Sequence, residues 1–179
     1  YSGTAEKFVY DKLLLATGGK IMKLPLEDNE IIYYRTYDDY KRLRKMTESK
    51  KDFAVIGGGF IGTEIAAALA MNGKKVIMIF PGKLIGERIF PADLAEYVTS
   101  YYKNKGVEFI TGDSVKEIEP DGEKKKLITE NGKTLITDAV IAGVGIRPDT
   151  ALAEPAGIIT GNGILVDEFL RTNLESVYA

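Results

Sequence analysis

Gly57-x-Gly59-x-x-Gly62 is the constellation whose residue types and spacing point most directly to chemistry. It follows the apolar run Phe53-Ala54-Val55-Ile56, and after it Ile61, Ile65, Ala68 and Leu69 recur at helical spacing. In a strand–turn–helix of this kind the first glycine permits a tight turn. The second lets backbone approach a diphosphate, and the third lets helix and strand pack closely. Unpaired N–H groups at the helix start, aided by the helix dipole, favour the anion. A Gly-rich structural turn is the plainer reading. The strand before the motif and the helix after it, inside a βαβ unit, favour phosphate binding.

The elements that must position this motif follow from patterning. Lys12–Ala16, Phe53–Ile56, Lys75–Phe80, Val107–Ile110 and Ala139–Ala142 read as buried strands. Residues 20–30, with Pro25, read as a connector. Thr36 and Asp39 form a capping-box signature for a helix to about Met46, with Tyr40 and Leu43 facing inward. Asn72-Gly73 ends the helix that the glycine motif opens. Pro91 opens another, with Leu94, Tyr97, Val98 and Tyr101 on its apolar stripe, closed by Gly106.

Short strands over 115–119, 125–129 and 134–137 are separated by Asp121-Gly122 and Asn131-Gly132, both hairpin-turn dipeptides. Residues 150–156 read as a short helix stopped by Pro155, and 163–166 and 176–179 as strand fragments. The order βαβαβ, then a meander, then a buried strand predicts an α/β fold. It is a three-layer Rossmann-like dinucleotide-binding domain with an antiparallel β-meander crossover.

Composition narrows the chemistry. The 179 residues contain no Cys, His or Trp, so this chain offers no disulfide, zinc thiolate, redox dithiol or imidazole base. With 24 basic and 26 acidic residues, the net charge of −2 gives no pull towards nucleic acid. No apolar run approaches the ~20 residues of a membrane span, and no signal-peptide pattern begins at Tyr1. A cytoplasmic location is the expectation.

Three segments carry a family resemblance. Tyr10-Asp11-Lys12-Leu13-Leu14-Leu15-Ala16-Thr17-Gly18-Gly19 resembles the end of the first flavin-domain stretch in FAD-dependent pyridine nucleotide–disulfide oxidoreductases. Val55 to Glu64 resembles their nucleotide fingerprint, and Ala142 to Asp149 their strand returning towards the flavin domain. Order and spacing match over nearly the whole chain. Ile79–Lys83 and Gly86–Pro91 are most similar to the ferredoxin-reductase and apoptosis-inducing-factor branch, with NADH oxidases and coenzyme A disulfide reductases close by.

The resemblance implies hydride transfer from NAD(P)H to FAD and onward transfer to an acceptor that the sequence does not name. The partner it implies is the flavin-binding domain of the same protein. NAD(H) is the implied cofactor, with NADP(H) possible, and no catalytic acid or base is required of this chain. Three regions follow: 1–35, flavin-domain remnant and connector; 36–148, the NAD(P)H-binding domain; and 149–179, the return segment. The first flavin fingerprint and the closing Gly-Asp pair are expected outside this chain, so the chain by itself is expected not to turn over. A non-catalytic nucleotide sensor is the alternative, against which the flavin-side motifs weigh.

By the same resemblance Gly57, Gly59 and Gly62 cradle the pyrophosphate, with Phe60 and Ile61 donating backbone N–H groups. Glu64 corresponds to the acid that meets the nicotinamide carboxamide; its plainer reading is a helix-start carboxylate. Gly143 and Gly145 let the last strand's end pass close to nucleotide, or only make a tight exit. Thr17 and Gly18 correspond to the second flavin contact, or only end a strand. Arg35 and Arg147 adjoin these motifs and read equally as solvated charges.

Domains that choose NAD usually place an acid about 20 residues past the first glycine, on the ribose hydroxyls. The window 77–83 has none, and Gly82 stands where the apoptosis-inducing-factor pattern has glutamate. Weak discrimination against NADPH is therefore expected, with Lys83 or Arg88 able to reach a 2′-phosphate unless Arg88 pairs with Glu87. Two decoys are set aside. Tyr101-x-x-x-Lys105 matches a dehydrogenase spacing, but Tyr101 reads as core. The basic cluster Lys41, Arg42, Arg44, Lys45 reads as a wet helix face.

Overall fold

The structure, a computed structural model, describes residues 7–26 and 30–179. In chain order it forms β1 (Leu13–Leu14), β2 (Gly19–Ile21), β3 (Ile32–Tyr33), α1 (Tyr37–Ser49), β4 (Asp52–Ile56), α2 (Phe60–Met71), β5 (Lys75–Phe80) and α3 (Ala92–Asn104). Then come β6 (Val107–Thr111), β7 (Val115–Asp121), β8 (Lys124–Thr129), β9 (Thr134–Thr137), β10 (Ala139–Ala142), β11 (Ile146–Pro148), β12 (Thr160–Gly161), β13 (Gly163–Ile164) and β14 (Val177–Tyr178). Two compact units result. One is Met22–Gly145, and the other joins the two chain ends, up to Ile21 and from Ile146.

The larger unit is built on a parallel sheet of order β3-β10-β4-β5-β6. Its central strands are continuously apolar because both faces are covered. Alternation along β4 sends Phe53 and Val55 to a core with Leu43 of α1 and Ile65, Ala66 and Leu69 of α2. Ala54 and Ile56 point the other way, to a core with Val115 and Leu127 of the antiparallel meander β7-β8-β9. Helices, parallel sheet and meander are thus the three layers predicted. The meander turns at Gly122 and Gly132, with φ of 61° and 80°, as the Asp-Gly and Asn-Gly dipeptides require.

Local signals hold in α1, where the Thr36 hydroxyl accepts from the Asp39 N–H at 3.2 Å and Asp39 Oδ2 accepts from the Thr36 N–H at 2.7 Å. Tyr40 does not face inward: it is half exposed, stacked on Tyr37, and only Leu43 is buried. Ala68 of α2 is likewise exposed. Of the apolar stripe expected of α3, Val98 packs against the core while Leu94, Tyr97 and Tyr101 point out. Ala95 and Thr99 are buried, while Tyr97 and Tyr101 are 68% and 50% exposed. Small residues let α3 lie close to its neighbours, and Tyr101, read as core, instead carries Lys105 over its ring at 5.5 Å.

Within the connector expected over 20–30, residues 27–29 lie outside the described ones; beyond it, Ile32–Tyr33 forms the sheet's edge strand. In the smaller unit β1 pairs in parallel with β14, β2 antiparallel with β11, and β12 with β13. Residues 151–157 form successive turns rather than a helix. The Ala156 and Ile158 N–H groups both donate to the Ala153 carbonyl, each at 3.1 Å, and Pro155 has no N–H to continue a helix. Among the described residues no helix is long and apolar enough to cross a membrane.

Asp113, only 4% exposed, joins the end of β6 to the meander through Oδ1, which accepts from the Ser114 N–H at 2.8 Å and the Asn131 N–H at 3.2 Å. Burial alone would raise its pKa, but hydrogen bonds from Thr129, Ser114 and Asn131 and the charge of Lys133 hold it below the ordinary 3.8. A depressed folded-state pKa adds stability above the unfolded value and loses it as pH falls through the folded one. Asp113→Asn is therefore expected to lower the melting temperature at pH 7 and to flatten the acid limb of the stability profile. Melting curves collected from pH 7 to pH 2 check both.

Candidate dinucleotide site

Three strand ends converge at the start of α2. Gly57, just past β4, has φ 114°, a conformation only glycine adopts readily, and its N–H donates to the Ile79 carbonyl of β5 at 2.9 Å. The Gly143 N–H, just past β10, donates to the Ile56 carbonyl at 2.8 Å. A Cβ on Gly57 would sit 2.9 Å from the Gly143 carbonyl carbon. One on Gly62 would sit 3.0 Å from the Gly57 carbonyl carbon, and one on Gly143 would sit 2.7 Å from the Gly62 nitrogen. Backbone packs on backbone at all three.

Gly59 is different. It is the N-cap of α2 in extended conformation, φ −87° and ψ −173°, and an added Cβ would meet nothing within 4 Å. No side chain caps the helix, so the first N–H groups, including those of Phe60 and Ile61, keep their donors. Phe60 is exposed and Ile61 half-buried, while the Thr63 hydroxyl is spent within the helix on the Gly59 and Phe60 carbonyls, both at 2.9 Å. Glu64 is exposed on the first turns of α2, and its charge helps raise the pKa of Tyr102, after the larger effect of burial. Gly145 has φ 102° and its carbonyl accepts from the Met22 N–H at 3.0 Å.

The sequence reading missed two supports of this turn. A Cβ on Gly58 would sit 2.9 Å from the Phe80 ring, so the middle glycine of the triplet is needed by the aromatic that ends β5. The loop 81–91 also folds against the motif, with the Gly86 N–H on the Gly58 carbonyl at 2.9 Å and Phe90 edge-on to Phe60 at 6.2 Å. Its hidden signal is Ile85, 1% exposed, whose N–H donates to Thr99 Oγ1 at 2.9 Å.

Lys83 and Arg88 lie exposed on this loop and Gly82 at its start. Glu87 does not pair with Arg88 among the described residues; its Oε2 accepts from the backbone N–H of Lys83 at 2.7 Å and of Leu84 at 3.3 Å. In the smaller unit the Thr17 hydroxyl donates to the Asp149 carbonyl at 2.6 Å, and Gly18, φ 64°, accepts from the Asp149 N–H at 2.9 Å. Lys20 closes the same turn by pairing with the Asp149 carboxylate at 3.1 Å. Arg35 and Arg147 are exposed.

A parallel sheet with a glycine-built turn between strand and helix, open at the helix N-terminus, defines the class of α/β dinucleotide-binding folds. The family model of the pyridine nucleotide-disulphide oxidoreductases matches residues 2–179, and the chain belongs to that family. It is 36% identical over 188 aligned residues to peroxisomal monodehydroascorbate reductase 1 of Arabidopsis thaliana, covering 99% of this chain and 43% of that protein. It is 37% identical to cytosolic monodehydroascorbate reductase 4 of Oryza sativa subsp. japonica, at the same coverages of 99% and 43%.

Among solved structures, a ferredoxin reductase from Rhodopseudomonas palustris superposes with a TM-score of 0.88 at 31% identity, covering 94% of this chain and 43% of that one. An NAD-dependent persulfide reductase from A. fulgidus gives 0.87 at 31% identity, covering 99% and 34%. The chain thus spans less than half the length of these relatives.

The glycines divide into packed and open positions, and unfolding experiments should separate them. Gly62→Ala forces a methyl into backbone and is expected to cost about 1–3 kcal/mol. Gly59→Ser meets open space and supplies the missing cap, so stability should hold or rise by roughly a few tenths of a kcal/mol, glycine being itself a tolerated cap. Urea titrations of both variants beside wild type measure the difference.

Proposed function

We propose that this chain is the NAD(P)H-binding portion of a flavoprotein oxidoreductase that passes hydride from the nicotinamide to FAD and then electrons to an acceptor. The observation that carries the reading is the glycine-packed turn at α2, with Gly59 facing open space before an uncapped helix start. The residues fit a diphosphate there. Gly59 leaves room for it, the N–H groups of Phe60 and Ile61 donate to it, and no side chain competes.

When bound, the nicotinamide supplies the hydride. What this chain does is bind and orient, and its lack of Cys and His is consistent with that division of labour. Glu64, exposed one turn into α2, is the acceptor proposed for the carboxamide N–H. Gly57, Gly62 and Gly143 hold the turn in shape, and Gly145 exits the last strand beside it. On the flavin side, Thr17 has committed its proton to the Asp149 carbonyl. Towards a flavin it therefore acts only as an acceptor or a packing surface, with Gly18 leaving room beside it.

The proposed regions are 1–35 and 149–179 on the flavin side and 36–148 on the nicotinamide side, the partner being the flavin-binding domain of the same protein. The relatives are named as reductases of different acceptors, monodehydroascorbate, ferredoxin and persulfide. What they share with this chain is therefore independent of the acceptor. The cytoplasm is the compartment inferred, although of the plant relatives one is named cytosolic and others peroxisomal.

Two variants assign the two ends of the ligand. Gly59→Ser places a hydroxyl over the first N–H groups and is expected to weaken ADP-ribose and NADH alike. Glu64→Ala is expected to weaken NADH by about 0.5–3 kcal/mol, one lost hydrogen bond, and to leave ADP-ribose unchanged. Calorimetric titration of both ligands reads this directly. Equal loss of both in Glu64→Ala would assign Glu64 to folding or to the phosphate end.

A further inference from the structure

The side-chain space beside Gly82 is already occupied by an acid. Gly82 lies outside the left-handed region, so its backbone tolerates a side chain; what an added Cβ would meet is Glu87, with Cδ at 2.7 Å and Oε2 at 3.1 Å. The carboxylate is tethered there. Its Oε2 accepts the Lys83 and Leu84 N–H groups at 2.7 Å and 3.3 Å, and Oε1 has no hydrogen-bond partner among the described residues. The loop beneath is pinned on either side of it by buried Ile85, bonded to Thr99, and by Gly86, bonded to Gly58 of the glycine turn. Glu87 itself is exposed.

An acid at the end of the second strand of a βαβ unit accepts hydrogen bonds from both ribose hydroxyls of NAD, and its charge opposes a 2′-phosphate. The window 77–83 contains no such residue. We propose that Glu87, folded back into the space Gly82 leaves open, is the acid that reads the adenosine ribose and selects NADH over NADPH.

This inference rests on the reading of the α2 turn as a dinucleotide site. It reverses the weak discrimination expected from the missing acid in that window. Lys83 and Arg88 lie beside this carboxylate in the chain, and its charge offsets their pull on a phosphate. Gly82 is then a specificity position by its absence of a side chain: any larger residue evicts Glu87.

The test is calorimetric titration of NADH, NADPH and ADP-ribose into the full chain, in wild type, Glu87→Gln and Gly82→Ala. Glutamine keeps an acceptor for the Lys83 and Leu84 N–H groups and removes the charge. Alanine keeps the acid but takes its place. Wild type is expected to favour NADH by at least ~10-fold, about 1.4 kcal/mol. In both variants the ratio should shrink towards one, through tighter NADPH binding in Glu87→Gln. A merely structural Glu87 would weaken both cofactors together and leave the ratio alone. A wild-type ratio near one, or a ratio unmoved in both variants while ADP-ribose still binds, overturns the role of Glu87 and leaves the dinucleotide site intact. Failure of wild type to bind any of the three ligands overturns the site itself.

Discussion

Where Gly57, Gly62 and Gly143 meet, there is no side-chain layer between β4, α2 and β10: carbonyl carbons and amide nitrogens stand inside van der Waals distance of the positions a methyl would take. That contact sets how deeply α2 sits against the sheet. It also ties the two strand ends together, because Gly57 donates to β5 and Gly143 to β4. The helix start consequently opens at one point with its N–H groups unspent. A single added methyl in this cluster has nowhere to go, since backbone yields less readily than a flexible side chain.

The rest of the larger unit keeps this point in place. Both faces of the parallel sheet are dry, one against the helices and one against the meander, so the strands cannot slip in register without exposing an apolar face. Asp113 fastens the end of β6 to the meander, and the Gly112 N–H, which donates to the Gly82 carbonyl at 2.9 Å, fastens it to the loop after β5. That loop in turn rests on Gly58 through Gly86. The open helix start and the tethered carboxylate of Glu87 are thereby held by one continuous hydrogen-bonded framework rather than by separate loops.

This arrangement explains how one chain pattern serves reductases named for different acceptors. In the proposed function the glycine turn and the open helix start bind and orient a dinucleotide, and no group of this chain needs to transfer a proton. Changing the acceptor leaves them untouched. Selection between nicotinamide cofactors, by contrast, rests on a few atoms at the end of β5, where the loss of one side chain makes room for another.

What the sequence by itself determined was whatever depends on near neighbours. The Thr36–Asp39 cap, the Asp-Gly and Asn-Gly hairpins, the continuous apolar strands and the glycine motif are set by steric and hydrogen-bonding rules acting within a few residues. Tertiary structure decided what depends on partners distant in the chain. Tyr97 and Tyr101 looked like a buried stripe, but close approach favoured the face bearing Ala95 and Thr99. Residues 32–33 became a strand only because β10 offered an edge. Thr17 turned inward because Asp149, 132 residues away, presents a carbonyl. The carboxylate beside Gly82 was equally hidden: the acid is missing from the strand end, and only the fold of the loop over Gly58 returns Glu87 to that space. A one-dimensional window records which side chains stand near each other in sequence, whereas the position of a charge is set by the packing that bends the chain back.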